Sequence, residues 1–466
     1  MTGILADRYA SKQMKEIWSY ENKILLERDL WIAVMKTQRK LGVVLTEDTI
    51  AAYEKTRDRV DLISIETREK ILKHDVKARI EEFNELAGHE SIHLGMTSRD
   101  LTENIELLQI QNSLDLTVFK SLSLLCNLGM AIESYTDIAI VARTHNVPAQ
   151  VTTLGKRFAT WAEELMFAIE HLQELRIRLP LRGIKGAVGT QQDAQDLIGK
   201  NISSLDREIS KILGFKHVAE SSSQVYPRSY DYEVSSCLVQ VSAAATNMTT
   251  NIRLMSGYGL MREGVRKGQV GSTAMPHKVN ARSSERVSGL SVILKGYANM
   301  IAEISGNQWG EGDVSCSVVR RVALPNAFYA IDAILDTSIN ILRNLVISKS
   351  AINAELEMHL PFMLSSKILM KLVEQGMGRE EAHRLIKDLA QTAAANFSET
   401  RNNNFFELLS KEKSLGISKE FLNELLTNPL QHSGLAQEHS RSILSEIKSV
   451  CGSRRDILTY QPVESI

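Results

Sequence analysis

Proline is scarce in this chain. Only eight prolines occur among its 466 residues, and none precedes Pro148. Because proline removes a backbone hydrogen bond and clashes with the preceding turn of a helix, a long stretch without it permits long helices. Within this stretch, apolar residues recur at helical spacing and stop at Gly42: Leu26, Leu30, Ala33, Val34 and Leu41. The sequence therefore predicts an all-α fold.

A second periodic segment follows Pro325, which we expect in the first turn of a helix, where proline is tolerated. Its apolar residues fall in steps of three, four and seven: Phe328, Ile331, Leu335, Leu342 and Leu345. This near-heptad spacing is typical of helices that pack almost parallel in a bundle. We therefore expect a central bundle of long helices.

The chain divides into three predicted domains. Residues 1–97 are expected to form an N-terminal domain of shorter helices, residues 98–347 the central long-helix bundle, and residues 348–466 a C-terminal helical domain. A polar, asparagine-rich break at Arg401–Asn404 interrupts the third domain. No run of alternating strands, no repeat of roughly 20–50 residues and no low-complexity linker is visible.

The charge balance narrows the range of partners. The chain has 55 Lys and Arg against 56 Asp and Glu, a formal net charge of −1. Chains that bind nucleic acid usually carry a basic excess or stripe, so no nucleic-acid partner is expected. A small anionic substrate remains compatible, since it needs only a few cations in one cleft. No apolar run approaches the ~20 residues that span a bilayer, so no membrane segment or signal peptide is expected.

The cysteines indicate the redox compartment. The four lie far apart and form no C-x-x-C pair: Cys126, Cys237, Cys316 and Cys451. Such spacing favours reduced thiols over disulfides or a zinc site. The sequence therefore predicts a soluble, cytoplasmic protein without a bound metal.

The segment Gly268–Asn280 combines glycines, small hydroxyl residues and a Met-Pro pair just before a predicted helix. We call it the signature loop. Its end carries Lys278 and Asn280, and Arg286 follows two turns into the helix. Loop amides, a lysine and a helix N-terminus together favour an anion. A bare glycine-serine loop would instead indicate an ordinary turn with a cationic flank.

The signature loop matches the pattern G-S-[S/T]-x-M-P-x-K-x-N, and so resembles the loop shared by fumarase, aspartase, argininosuccinate lyase and adenylosuccinate lyase. Within that superfamily the chain resembles the adenylosuccinate lyases. The matching motifs keep their order over residues 8–321: Arg8 and Tyr9; Lys73, His74 and Asp75; Thr97 and Ser98; Arg143, Thr144 and His145; Gln224; Met275 to Lys278; Ser317 and Arg321. The C-terminal third agrees more loosely, with Leu360–Met363 as its best landmark.

The resemblance implies elimination of fumarate from a succinylated purine nucleotide. The expected substrates are adenylosuccinate, which gives AMP, and the succinylated imidazole carboxamide ribotide of purine synthesis. Removing a proton beside a carboxylate and releasing a nitrogen leaving group needs a base, an acid and cations for the developing charge. By resemblance, Ser272 is the base and His145 the acid. A serine acts as a base only where cations and loop amides lower its pKa in a closed site.

The other matched residues are expected to bind the substrate. Lys278, Asn280 and the helix start at Ser98 are the candidates that stabilise the carboxylate. His74 either binds phosphate or polarises the surroundings of His145. The full predicted binding set is Arg8, Tyr9, Lys73, His74, Asp75, Thr97, Ser98, Gln224, Lys278, Asn280, Arg286, Ser317 and Arg321. An elimination of this kind requires no metal or organic cofactor, and none is expected.

Several of these residues also have an ordinary structural explanation. Thr97 or Ser98 is a good helix N-cap, and a single histidine such as His93 is more often a structural hydrogen-bonding partner than a catalyst. Arg143, Arg320 and Arg321 could be solvated or paired with acids. The segment Arg182–Gly189 resembles a phosphate-binding loop only superficially, so a turn between helices is the better interpretation.

The chain departs from the family pattern at a few positions. Gly312 stands where the family usually has an arginine after Trp-x-Glu, so one expected substrate cation is missing. Lys267, Arg266 or Arg320 could compensate for it. Ala281 replaces the usual proline after Lys-x-Asn, and Thr273 replaces the second serine of the signature loop.

Two alternatives stay open beside this interpretation. One is a related enzyme of the argininosuccinate lyase, aspartase or carboxymuconate cycloisomerase type, and the other is a non-catalytic protein on the same fold. Family resemblance also favours a homotetramer whose sites each draw on three subunits. An unbroken helix from Ser98 to Val141 would be ~65 Å long and would separate Thr97 from His145. If the segment folded back near Gly129, the two would meet within one chain.

Overall fold

A computed structural model of the chain describes residues 3–264, 275, 278–452 and 454–463. The described chain is predominantly helical, which confirms the predicted all-α class. The N-terminal part contains six helices: α1 (Ile4–Arg8), α2 (Lys12–Ile17), α3 (Tyr20–Lys40), α4 (Glu47–Thr56), α5 (Leu62–Leu72) and α6 (Asp75–Ala87). As expected, α3 stops just before Gly42, whose φ of 106° belongs to the left-handed region.

Five long helices form the central bundle: α7 (Ser98–Tyr135), α8 (Leu154–Arg178), α11 (Ser229–Gly257), α12 (Arg282–Ile304) and α13 (Ser315–Arg343). Between α8 and α11 lie α9 (Gln192–Ile198), a 3₁₀ turn (Gly199–Ser204) and α10 (Leu205–Leu213). α7 packs against α8 and α13, and α11 packs against α8, α12 and α13. The predicted bundle of long helices is confirmed.

A buried ionic cluster ties α7 to both ends of the chain. Lys120 Nζ donates to Asp332 Oδ1 at 2.5 Å and to Asp336 Oδ2 at 2.8 Å. The backbone N–H of Ser11 donates to Asp332 Oδ2, and the hydroxyl of Tyr460 donates to Asp336 Oδ1. Lys120 therefore holds two aspartates of α13, and these aspartates in turn hold the N-terminal segment and the C-terminal tail.

Within the described residues, two small antiparallel sheets interrupt the helices. The first is a hairpin of β1 (Ala139–Thr144) and β2 (Val147–Thr153), and the second pairs β3 (Met261–Glu263) with β4 (Leu345–Ile347). The hairpin turn consists of His145 and Asn146, whose φ angles are 51° and 62°. Two successive positive φ angles are typical of a type I′ turn, whose twist matches that of the flanking strands.

The C-terminal part is again helical: α14 (Lys349–Met363), α15 (Ser365–Glu374), α16 (Arg379–Thr400), α17 (Phe405–Lys411), α18 (Lys419–Thr427), α19 (Ala436–Cys451) and α20 (Arg455–Thr459), with 3₁₀ turns at Lys413–Leu415 and Pro429–His432. The predicted break at Arg401–Asn404 separates α16 from α17. The division into three domains stays a prediction.

Three sequence-based expectations were wrong. Pro325 lies inside α13 and not in its first turn, so the helix continues past a residue that cannot donate a backbone hydrogen bond. Leu345 belongs to β4 and not to the helix. Cys126 of α7 and Cys451 of α19 form a disulfide across 325 residues of sequence, because these two helices pack together in the fold.

The length and composition of α7 would allow it to cross a membrane, and no other helix of the described residues has this property. However, 67% of its apolar window is buried inside the protein. The apolar character of α7 is therefore explained by its place in the bundle, where α8 and α13 cover it.

Candidate active site

The start of α7 is built around a buried carboxylate. Asp100 Oδ2 accepts a hydrogen bond from the backbone N–H of Thr97 at 2.7 Å, and Thr97 is the N-cap residue of the helix. Oδ1 of Asp100 accepts from the N–H groups of Lys185 and Gly186 at 2.8 and 3.0 Å. Thr97 and Ser98 are half-buried at this helix start. The ordinary explanation of Thr97 as an N-cap is therefore correct, and it leaves the predicted binding role open.

Arg182 belongs to the same cluster. Its guanidinium is fully buried, forms an ion pair with Asp100 and donates to the carbonyl oxygen of Ser223 at 2.9 Å. The segment Arg182–Gly189 is thus a connection between helices, as expected, and its arginine joins the start of α7 to the loop that precedes α11.

Gln224 lies on that loop, beside Gly312. Its backbone N–H donates to the carbonyl oxygen of Glu311 at 3.0 Å. A Cβ added to Gly312 would lie 3.3 Å from Cβ of Gln224, and the φ angle of Gly312 is 156°. Side chains rarely adopt this backbone conformation. The backbone conformation at position 312 therefore favours glycine over the arginine that the family usually has there.

Ser317 contacts a residue that the sequence motifs did not single out. Arg99 Nη2 donates to Ser317 Oγ at 3.0 Å, and Arg99 Nη1 donates to Glu103 Oε1 at 3.2 Å. Ser317 is half-buried in the first turn of α13, whereas Arg321 is exposed. The start of α7 thus brings Ser98, Gln224 and Ser317 into one region, which we call the α7-start site.

Buried charges below this region are already paired. Arg320 pairs with Asp231, Glu106 and Glu103, and it is almost fully buried. Burial alone would raise the pKa of Glu106, but the charges of Arg320, Lys23 and Arg228 together with the hydrogen bond from Arg320 outweigh burial and hold this pKa at about 2. Arg320 therefore does not compensate for Gly312, contrary to one expectation. The other two candidates, Arg266 and Lys267, lie outside the described residues.

The segment before α6 carries three predicted binding residues. Lys73 is exposed in a left-handed conformation, and Asp75 forms an ion pair with Arg79 at 3.3 Å. His74 is the N-cap of α6, and its Nδ1 accepts from the N–H of Lys77 at 3.2 Å. This hydrogen bond leaves Nε2 of His74 as the atom available to a ligand.

His93 has the structural role that was expected of it. Its Nδ1 accepts a hydrogen bond from Trp31 Nε1 at 3.1 Å. Burial lowers the pKa of His93 to about 4, with the nearby charges of His74 and Lys77 acting in the same direction.

His145 lies elsewhere, exposed in the hairpin turn beyond the C-terminal end of α7. Its neighbour Asn146 accepts a hydrogen bond from the Tyr258 hydroxyl at 2.8 Å, and Arg143 donates to the Asn146 carbonyl oxygen at 3.1 Å. Arg143 also lies over the ring of Tyr258 at 4.3 Å and pairs with Glu355. Hydrogen bonds from Tyr258 and Arg143 to Asn146 therefore fix the turn that carries His145.

A third group contains Arg8, Tyr9 and Arg286. The guanidinium of Arg286 lies 5.9 Å from the centre of the Tyr9 ring. Burial lowers the pKa of Arg286, and the positive charges of Arg282 and Arg8 act in the same direction. The charges of Tyr9 and Glu263 act in the opposite direction.

The signature loop is described only in part. Ser272, the predicted base, lies outside the described residues, whereas Lys278 is exposed and Asn280 is half-buried. At the start of α12, Glu263 accepts hydrogen bonds from the N–H groups of Ser283 and Ser284 at 3.1 and 2.8 Å. A carboxylate of the chain itself therefore accepts from the N–H groups of Ser283 and Ser284. The anion-binding role of Lys278 and Asn280 stays a prediction.

Within one chain, the predicted site residues thus form separate groups. Thr97 precedes α7 and His145 follows it, and the 38 residues of this helix span about 57 Å. The alternative in which the segment folds back near Gly129 is wrong, because α7 is continuous through that residue. In the described ranges no group of three or more His, Cys, Asp or Glu side chains could hold a metal ion.

Comparison with known proteins identifies the class. The family model described as Lyase matches residues 4–296, so the chain belongs to a lyase family. A second model, described as Adenylosuccinate lyase C-terminus, matches residues 361–441. The chain belongs to the adenylosuccinate lyase family.

Individual relatives agree. The adenylosuccinate lyase of Saccharomyces cerevisiae is 33% identical over 431 residues, which cover 90% of this chain and 89% of that protein. The adenylosuccinate lyase of Archaeoglobus fulgidus is 30% identical over 449 residues, covering 95% of this chain and 98% of that protein.

Solved structures show the same fold at lower identity. A 3-carboxy-cis,cis-muconate lactonizing enzyme from Pseudomonas putida superposes with a TM-score of 0.84 at 20% identity, covering 96% of this chain and 99% of that chain. A fumarate lyase from Mesorhizobium sp. BNC1 gives a TM-score of 0.82, also at 20% identity, covering 94% of this chain and 98% of that chain. The predicted fumarase/aspartase-like architecture is confirmed by these neighbours.

Proposed function

We propose that this enzyme eliminates fumarate from adenylosuccinate to give AMP, and from the succinylated imidazole carboxamide ribotide in the same way. The observation that carries the proposal is the similarity to adenylosuccinate lyases over 90% or more of the chain. The matched residues also supply the chemical groups that this elimination needs.

We assign the base to Ser272 and the acid to His145. The base takes the proton from the succinyl carbon beside a carboxylate, and the bond between the neighbouring carbon and N6 then breaks. Its electron pair goes to N6, which receives a proton from His145, and fumarate and AMP leave. Acid and base catalysis each contribute typically about 10²–10⁴-fold, so fixed positive charge must stabilise the developing carboxylate dianion as well.

The three residue groups have complementary roles in this scheme. Arg8, Tyr9 and Arg286 offer an aromatic face and cations to the nucleotide. The α7-start site offers hydroxyl groups, the amide of Gln224 and the helix N-terminus to the succinyl group. His74, through Nε2, is assigned to the substrate phosphate. Lys278 and Asn280 come from the flank of the signature loop.

These groups can form one site only if subunits share them, because α7 holds Thr97 and His145 far apart. We propose the homotetramer that the family resemblance favours. The outer faces of two central helices support an assembly: Val318 on α13 is 70% exposed and Val292 on α12 is 70% exposed. Val322 and Met300 add further exposed apolar surface on the same helices. Exposed apolar side chains on the outer faces of bundle helices are typical of a subunit interface.

The test is a spectrophotometric assay of the purified protein with adenylosuccinate, following AMP and fumarate. Ser272→Ala should lower kcat by about 10²-fold or more, whereas Ser445→Ala, at an exposed serine on α19, should leave it unchanged. Turnover of argininosuccinate or a muconate lactone in place of adenylosuccinate would indicate a related lyase. Folded protein without turnover on any of these compounds would indicate a non-catalytic protein.

A further inference from the structure

Position 312 is the one place where a substrate cation expected from the family pattern is absent. We infer that Arg99 supplies this cation and binds a carboxylate or phosphate oxygen of the substrate. This inference rests on the proposed function. Its structural basis is that Arg99 reaches Ser317, five residues after Gly312, from the opposite wall of the α7-start site.

The position of Arg99 suits an anion. It follows Thr97 and Ser98 in the first turn of α7, where the helix N-terminus already favours negative charge. Its side chain is 14% exposed, so it is neither fully buried nor free in solvent. A guanidinium has five N–H donors, and the contacts to Glu103 and Ser317 use one on each of two nitrogens. Donors therefore remain for a ligand that sits beside Ser317.

The neighbouring arginines are buried and paired with carboxylates. Arg182 is fully buried against Asp100, and the Arg228 side chain is 2% exposed in its ion pair with Glu103. Arg320 is 1% exposed and pairs with three carboxylates. Among the described arginines of this cluster, Arg99 is thus the one that combines partial exposure with contact to a predicted binding residue.

The carboxylate partner of Arg99 does not neutralise it fully. Glu103 accepts two hydrogen bonds from Arg228 at 2.8 and 2.9 Å, and Arg320 lies 3.6 Å from the same carboxylate. Three guanidinium groups therefore share Glu103, and two of them, those of Arg228 and Arg320, also pair with Asp231. The contact at 3.2 Å orients Arg99 toward Ser317 and leaves it the capacity to pair with a substrate anion.

Arg99 supplies from the start of α7 the positive charge that the family's arginine supplies from position 312. An arginine at 312 would need a Cβ 3.3 Å from Gln224 on a backbone with φ of 156°. Because residue 312 is glycine, its loop lies close to Gln224. The guanidinium beside Ser317 comes from Arg99 on α7 instead. The cation thus enters the site from the helix start.

The experiment compares Arg99→Met and Arg99→Lys with the wild type, using adenylosuccinate as substrate. Arg176→Met is the matched control, because it removes another partly exposed arginine whose guanidinium pairs with a carboxylate, Asp115. We expect KM to rise about 10- to 100-fold in Arg99→Met, since hydrogen bonds to charged groups are strong. Arg99→Lys should recover part of the loss, and Arg176→Met should change KM less than about twofold.

Inhibition by products separates the two anion sources. If Arg99 binds the succinyl carboxylate, the inhibition constant of fumarate rises in Arg99→Met and that of AMP does not. If it binds phosphate, the inhibition constant of AMP rises instead. If KM and both inhibition constants are unchanged in a folded variant, Arg99 is not a binding residue. Should Arg99→Met not fold, a KM of Arg99→Lys equal to that of the wild type leads to the same conclusion. A wild-type enzyme without turnover would overturn the proposed function itself.

Discussion

Thr97 and His145 lie beyond opposite ends of one continuous helix. The 38 residues of α7 span about 57 Å between them, which is farther than side-chain motion within one chain can bridge. If both residues serve the same reaction, each must act on substrate held partly by another subunit.

The first prediction is complementation between inactive variants. Ser98→Ala and His145→Ala should each be nearly inactive alone, and mixing them should restore activity, because some sites in mixed assemblies then receive both native residues. With random mixing of equal amounts, about one quarter of the sites are intact. The measurement is kcat per site before and after subunit exchange, with exchange followed by mass spectrometry of intact assemblies.

A matched control uses two variants of the same segment, Thr97→Ala and Ser98→Ala, which should not complement each other. If Ser98→Ala and His145→Ala exchange subunits and regain no activity, the two residues do not share a site between chains.

The second prediction concerns the support of His145. The Tyr258 hydroxyl donates to Asn146 Oδ1 at 2.8 Å and so fixes the hairpin turn. Tyr258→Phe should lower kcat about 2- to 10-fold with little change in KM, since it loosens the acid without removing it. Tyr232→Phe, at a similarly exposed tyrosine of α11, is the control. An unchanged kcat in Tyr258→Phe would mean that this contact does not position the acid.

The third prediction concerns the start of α12. Glu263 is buried and accepts hydrogen bonds from two backbone N–H groups and from the Ser284 hydroxyl at 2.7 Å. Glu263→Gln should lower the free energy of unfolding by about 1.5–3 kcal/mol, because its amide nitrogen faces donors in place of an acceptor. The measurement is denaturant unfolding at fixed protein concentration. Glu163→Gln, at an exposed carboxylate on α8, should have little effect. Equal stability of the two variants would contradict the capping role.

The bundle could be predicted because its determinants are local. The absence of proline before Pro148 and the helical spacing of apolar residues act within single helices, and α3 and α7 formed as expected. The helix start at Thr97 could be foreseen for the same reason, since a threonine followed three residues later by Asp100 is a capping pattern.

What could not be predicted depends on tertiary packing. Arg99 contacts Ser317 across 218 residues of sequence, and Tyr258 contacts Asn146 across 112. The spacing of apolar residues along the sequence does not indicate contacts between residues so far apart. Pro325 was misplaced because the packing of α13 outweighs the lost hydrogen bond. The hairpin at His145 was missed because its turn residues, His and Asn, are a weak form of the Asn-Gly pattern.

The last prediction concerns the ionic cluster in the middle of the bundle. Burial raises the pKa of Asp336 to about 6, although Lys120 acts in the opposite direction. The ordinary value in an unfolded chain is about 3.9. Between these two values the folded protein therefore binds more protons than the unfolded chain. This part of the stability is fully present below pH 4 and is lost as the pH rises through about 6.

Asp336→Asn removes this titration. The destabilisation caused by the substitution should therefore be largest near pH 4 and should shrink toward pH 7.5, by at most about 1.4 kcal/mol per pH unit. Denaturant unfolding of both proteins at a series of pH values gives the difference directly, since other groups titrate equally in both. Tyr460→Phe removes a hydrogen bond that lowers the pKa of Asp336, so in that variant the pH window should move upward. A difference that stays constant across this range would mean that Asp336 is ionised throughout, held by Lys120.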